Sequence, residues 1–194
     1  RVLDMEENNA YALIGLGHLH YDFKEYRDAL YYWTRMLDLN DVAVDIRVLT
    51  SIGNCHRKLK TFEKGVIYFE RALEMDSKNF YALFGLADCY RGMNQQYRSV
   101  EYWNKILELD PNNKVILTRA GDAYRNTGDY QLATQYYNKA LNIEFDLYAV
   151  LGLALISKGE GRYEEAISSL TRLLQADPKN YRLYIDLADC YMKL

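Results

Sequence analysis

The chain has 194 residues and a net charge of −3, a balance that argues against a general nucleic-acid binder. Hydrophobic residues make up 49% of it and prolines only two, which suits a nearly all-helical chain with a continuous core. No apolar run approaches the roughly 18 residues of a transmembrane span. Three cysteines, Cys55, Cys89 and Cys190, form no metal or redox motif and read as small buried thiols, which mildly favours a reducing cytoplasm without excluding the periplasm.

In chain order, residues 1–9 read as the tail of a helix and its exit loop, because Leu3 to Leu13 repeats the pattern of Leu73 to Leu83. Residues 10–45 then pair two amphipathic helices. Leu13, Leu16, Gly17 and His20 make the first stripe, and Tyr26, Ala29, Trp33 and Met36 the second. The exit loop, Asn40 to Asp45, is expected to be about two residues longer than the others. Residues 46–79 carry Leu49, Ile52, Gly53 and His56, then Phe62, Gly65, Phe69 and Ala72. Residues 80–113 carry Leu83, Leu86, Ala87 and Tyr90, then Ser99, Trp103 and Ile106. The turn Met93–Gln96 lacks the glycine expected there, and Tyr97 sits one residue off its place.

The clearest copy lies in residues 114–144. Leu117, Ala120, Gly121 and Tyr124 share one face, Gly128 ends that helix, and Tyr130, Ala133, Tyr137 and Ala140 line the next. Residues 145–180 read as irregular, with a shortened entry and an inner turn lengthened by Gly159-Glu160-Gly161. The stripes expected there are Tyr148, Leu151, Gly152 and Leu155, then Tyr163, Ala166, Leu170 and Leu173. Residues 181–194 repeat only a first helix, with Leu187, Ala188 and Tyr191. The chain is therefore expected to be a single array and a fragment of a longer protein.

This succession of small and large residues resembles the tetratricopeptide repeat. The resemblance implies an all-α solenoid of stacked helix-turn-helix units in a right-handed superhelix with a concave inner face. It also accounts for nineteen tyrosines as space-filling aromatics.

No GxSxG, P-loop or HExxH pattern occurs, so neither catalysis nor a cofactor is expected. His18 and His20, two apart on a helix, face different ways and chelate one metal poorly, and His20 and His56 take the tyrosine slot as packed aromatics. Function must then lie on a surface. In the family the inner face of the first helices contacts extended peptides or helices. The corresponding residues are Tyr11, Ile14 and His18; Arg47, Thr50 and Asn54; Tyr81, Phe84 and Asp88; and Val115, Thr118 and Asp122.

Arg57, Arg91 and Arg125 recur every 34 residues and suggest a ladder, with Arg47, Lys58 and Arg119 nearby. One reading is an anion-reading stripe for an acidic partner segment. The other is internal pairing, since Asp88 and Asp122 precede Arg91 and Arg125 by three residues. Arg57, with Asn54 in that place, is expected to be the least committed rung. A carboxylate clamp of the kind that holds chaperone tails is not expected, because Ile14 and Thr50 stand where cations are needed. The leading expectation is a non-catalytic scaffold for a partner protein. The alternatives are self-association through open ends, or the recognition region of an enzyme whose catalytic domain lies elsewhere.

Overall fold

The computed structural model describes residues 6–39 and 44–194. The expectations for residues 1–5 and for most of the loop Asn40–Asp45 fall outside the described residues. Among the described residues there are eleven α-helices and no strand. The first helices of the pairs are α1 (Ala10–Asp22), α3 (Ile46–Lys58), α5 (Phe80–Gly92), α7 (Lys114–Thr127), α9 (Leu147–Gly159) and α11 (Tyr181–Tyr191). The second helices are α2 (Tyr26–Leu37), α4 (Phe62–Met75), α6 (Gln96–Leu109), α8 (Tyr130–Ile143) and α10 (Tyr163–Ala176). The fold is all-α, a solenoid of helical repeats, and the chain divides into two compact units, residues 1–102 and 103–194.

Side-chain caps start five of the six first helices, all but α11. Asn9, Asp45, Asn79, Asn113 and Asp146 each accept a hydrogen bond from an amide two or three residues on, at 2.8–3.2 Å. Such a cap satisfies an otherwise unpaired N–H and stabilises a helix by about 1 kcal/mol. The inner turns rely on the backbone, with a side-chain cap added at Asp129. Lys24, Lys60, Asn94, Gly128 and Gly161 take left-handed φ values of 59–84°. In each turn the amide of the next residue reaches five residues back, as in Gln95 N to Tyr90 O at 2.8 Å and Arg162 N to Ser157 O at 2.8 Å. The missing glycine at 93–96 therefore changes nothing, because Asn94 occupies the left-handed position, which asparagine tolerates.

The last repeat departs from its reading. The turn Glu160–Arg162 has the same length as Leu59–Thr61 and Met93–Gln95, and Gly159 is the last residue of α9. The entry is shorter by one residue, with 144–146 between α8 and α9 against 76–79 between α4 and α5. The buried positions of α9 are Ala149, Gly152, Ala154 and Ile156, while Tyr148 is exposed. Only Gly152 of the expected stripe is buried. Helix α9 is apolar on every side (Leu-Tyr-Ala-Val-Leu-Gly-Leu-Ala-Leu-Ile), so periodicity could not select its inner face.

Ring-on-glycine packing recurs in both units. In the first unit, Trp33 lies on Gly17, and the fully buried Phe69 ring sits against both Gly53 and Gly85. In the second, Tyr137 sits against Gly121 and Gly152. A Cβ at Gly53 or Gly121 would come within 2.7 Å of the ring, and one at Gly85 or Gly152 would come closer still. Hydrophobic cores form around these rings, with Leu49, Ala72, Leu86 and Cys89 about Phe69, and Leu117, Ala133, Ala140 and Ile156 about Tyr137.

Gly85→Ala and Gly152→Ala are each expected to lower stability by about 1–3 kcal/mol, since an added methyl overpacks the ring. Gly15 has nothing within 4 Å of an added Cβ, so Gly15→Ala is expected to raise stability by about 0.5–1 kcal/mol through helix propensity. Urea midpoints of the three variants against the parent chain check both signs.

Candidate functional site

In the first unit, the faces of α1, α3 and α5 carry the residues singled out as a binding surface. Tyr11 is 88% exposed and Tyr81 68%. Phe80 meets Tyr81 edge-on at 5.8 Å and lies tilted against Phe84 at 5.9 Å, which makes an aromatic shelf at the start of α5. Ile14 is half-buried, and exposed His18 sits edge-on to Trp33 at 5.1 Å. Arg47 is exposed and folds back onto its own cap, 2.8 Å from Asp45. Thr50 and Asp88 are buried and offer little surface. The Thr50 hydroxyl donates to the carbonyl of Arg47 at 3.0 Å.

Asp88 is the polar centre of that unit. Its Oδ2 accepts from Arg57 Nη1 at 2.6 Å and its Oδ1 from Arg91 Nε at 3.1 Å, with Arg91 Nη2 in ion-pair contact with Oδ1 at 3.1 Å. Arg57 Nε also donates to Asn54 Oδ1 at 3.2 Å, and the guanidinium lies 5.9 Å from the centre of the Phe84 ring. Arg57 is therefore the most engaged of the three arginines, against the expectation that it was the least committed. Within-helix spacing predicted the Arg91 pair. It could not show that Asp88 of one repeat also faces Arg57 of the preceding one.

In the second unit, Arg125 donates to the Tyr137 hydroxyl at 3.3 Å and lies 3.8 Å from Asp122. The Tyr137 hydroxyl donates to Asp122 at 2.7 Å. Burial, reinforced by the Asp122 charge, pushes this phenol well above the usual tyrosine range, so it stays a proton donor. Sequence reading missed Lys158. It bonds Asp186 at 2.8 Å and Asp189 at 3.0 Å. The Lys158–Asp189 and Arg57–Asp88 pairs are both separated by 31 residues, one repeat's cation on the next repeat's acid. A spacing of 33 from Arg125 was the available signal, hidden by lysine in place of arginine and by the shortened entry.

Three adjoining hollows lie over α7, α9 and α11, about 490, 250 and 110 Å³ in volume, and Tyr148 lines all three. Val115, Thr118 and Asp122 line the largest. Leu151 and Leu155, expected in the core, line the middle one beside Arg125 and Asp122. Thr118 is buried at the base, donating to the carbonyl of Lys114 at 3.1 Å. Arg119 lies 5.6 Å from the centre of the Trp103 ring.

Models of the tetratricopeptide repeat match residues 46–79, 81–113, 116–147 and 158–194. The chain belongs to the tetratricopeptide repeat family. In the general sense of that family it is a protein-interaction scaffold. Over 86 residues it is 31% identical to the RNA polymerase-associated protein CTR9 of Caenorhabditis elegans, which spans 44% of this chain and 7% of that protein. A tetratricopeptide repeat protein of Parabacteroides merdae superposes with a TM-score of 0.85 at 23% identity, over 95% of this chain and 73% of the other. MamA of Desulfovibrio magneticus gives 0.79 at 13% identity, over 88% and 96%. A thermophilic repeat protein of Thermus thermophilus gives 0.64 at 18%, over 95% and 100%. At these identities the solved structures share the fold.

The repeat's histidines and cysteines have structural surroundings. His20 stacks on Tyr32 and His56 on Tyr68, at 5.2 and 5.6 Å, as Tyr90 does on Tyr102 at 5.6 Å. Burial and the Lys64 charge hold the His56 imidazole below its ordinary value. His20 Nδ1 lies 2.6 Å from Glu25, and with Asp28 these side chains bring possible metal-ligand atoms within 4.8 Å of one another at an exposed corner. Among the described residues no helix is long and apolar enough to cross a membrane. Burial pushes the Cys55 and Cys89 thiols up to about 12 and raises Cys190 as well.

Breaking the Asp88 centre is expected to be costly, because it strands arginine charge against a buried site. Asp88→Ala should lower stability by about 3–5 kcal/mol and Arg125→Ala by about 1 kcal/mol or less. Chemical denaturation of both variants, with an Arg57–Asp88 double-mutant cycle, measures this. At pH 8 the three thiols should react with a chromogenic disulfide many-fold more slowly in the native chain than in urea, since only the thiolate attacks.

Proposed function

We propose that this scaffold holds a segment of a partner protein, an extended peptide or a helix, against the exposed faces of its first helices. The observation that carries the reading is the run of hollows around Tyr148. This ring is 73% exposed, stands at the start of a helix, and shares its hollows with Leu151, Leu155 and Val115 as well as with Arg125, Asp122 and Arg182. Rigid aromatics beside a few charged groups are the usual anchors of protein interfaces. Tyr11 and Tyr81 present the same chemistry in the first unit. The RNA polymerase-associated relative makes transcription complexes one setting in which to look for the partner.

Tyr148→Ala is expected to weaken partner binding by at least about 2 kcal/mol, roughly thirtyfold, as a hot-spot truncation does. Its melting temperature should stay near that of the parent, because the ring buries little against its own chain. Quantitative capture of co-purified partners by the parent and by Tyr148→Ala, Tyr81→Ala and Tyr11→Ala makes the comparison. Equal recovery of every partner by all four chains counts against the groove reading.

A second reading, self-association, rests on α11 and the residue after it, where Ile185, Tyr191 and Met192 are each exposed. Light scattering over a concentration series tests it, and a constant monomer mass excludes it over that range.

A further inference from the structure

We infer that the first unit selects an acidic partner segment, with an aspartate or glutamate facing Arg91 and Arg57 and a neighbouring apolar side chain on the Phe80–Tyr81–Phe84 shelf. This rests on the groove reading and narrows it to one partner chemistry at one place. The full three-rung ladder is not needed for it.

The charge count at Asp88 supplies the argument. One buried carboxylate receives two guanidinium groups, Arg57 on one oxygen and Arg91 on the other. Among the described residues no second acid forms an ion pair with either arginine. The cluster of these three side chains therefore carries one positive charge in excess. Arg57 is largely enclosed, spending Nε on Asn54 and Nη1 on Asp88. The Arg91 side chain is 47% exposed and spends Nε and Nη2 on a single oxygen, which leaves its Nη1 edge for an incoming acceptor. A guanidinium already held in place by one carboxylate loses little freedom on accepting a second, and its planar fork suits carboxylate geometry.

The surroundings point the same way. Arg47 is neutralised by Asp45, so it adds no competing field. Phe84 lies under Arg57, and the more exposed Phe80 and Tyr81 continue the shelf outward. The last matching slot, in the second unit, has the opposite balance, because Lys158 is shared by Asp186 and Asp189. Anion selection is thus a property of the Asp88 centre and not of the repeat slot in general. Lys158 serves as the internal control.

The test is fluorescence anisotropy on the full chain with three labelled probes: a peptide alternating Asp-Glu with Leu and Phe, the same peptide with Asn-Gln in place of Asp-Glu, and an oligothymidine strand. The acidic peptide should bind about tenfold or more tightly than its amide counterpart, with the gap shrinking as salt rises. Arg91→Gln should close most of that gap, and Lys158→Gln should leave it intact. Asp88→Asn, if circular dichroism shows it folded, should tighten the acidic peptide by releasing both arginines. Arg91→Gln is half-exposed and keeps the test decisive if Asp88→Asn does not fold. Equal binding of the two peptides, no binding of either, an acidic preference that survives Arg91→Gln, or equal binding of the oligothymidine each overturns the inference. The groove reading is judged separately, by the dependence of captured partners on Tyr148.

Discussion

Everything in this structure depends on room for a ring. Each pair of helices presents a large side chain from its second helix, and the first helices must leave space for it. Phe69 and Tyr137 each occupy a slot bounded by two glycines, one in the same repeat and one in the next. A second helix is thereby locked to two first helices at once. Contact between neighbouring repeats is what makes a repeat array stable, since no single pair buries its apolar face alone. The same constraint explains why the first helices read as alternations of small and large residues, and why the exposed side of those helices is free to vary.

A polar layer sits on that apolar one. Its unit is a cation of one repeat bonded to an acid of the next, seen in Arg57–Asp88 and Lys158–Asp189. Buried charge is tolerated there because both oxygens of Asp88 are taken by guanidinium groups. The layer borders the aromatic edge of the first unit, while in the second unit Tyr148 shares its hollows with both apolar and charged side chains. Partner recognition and repeat stacking are thus built from adjacent, and partly the same, side chains. That sharing makes the charge balance at each centre a property of the fold as well as of the binding face.

The arginines show how far a sequence pattern carries. Equal spacing identified Arg57, Arg91 and Arg125 as a set, and i to i+3 spacing identified two of their partners. The pairing of Arg57 with Asp88 spans two repeats, and no local rule addresses it. Lys158 escaped notice for a related reason, because the shortened entry moved it one residue off the period. In α9 the failure was physical: a helix apolar on all sides contains no periodic signal, so Tyr148 and Leu155 were assigned inward although they line a groove, whereas Leu151 both lines it and packs against the core.

The sequence by itself determined the helices, their order in pairs, the repeat to which they belong and most of the buried stripes. These follow from local spacing and from turn residues, which act over a few positions. Only the tertiary structure decided which face of α9 looks outward, that Gly85 and Gly152 receive the ring of the preceding repeat, and that Asp88 holds two arginines together. Those outcomes depend on side chains about 30 residues apart meeting across a helix interface, where packing and charge satisfaction, not local propensity, select the arrangement.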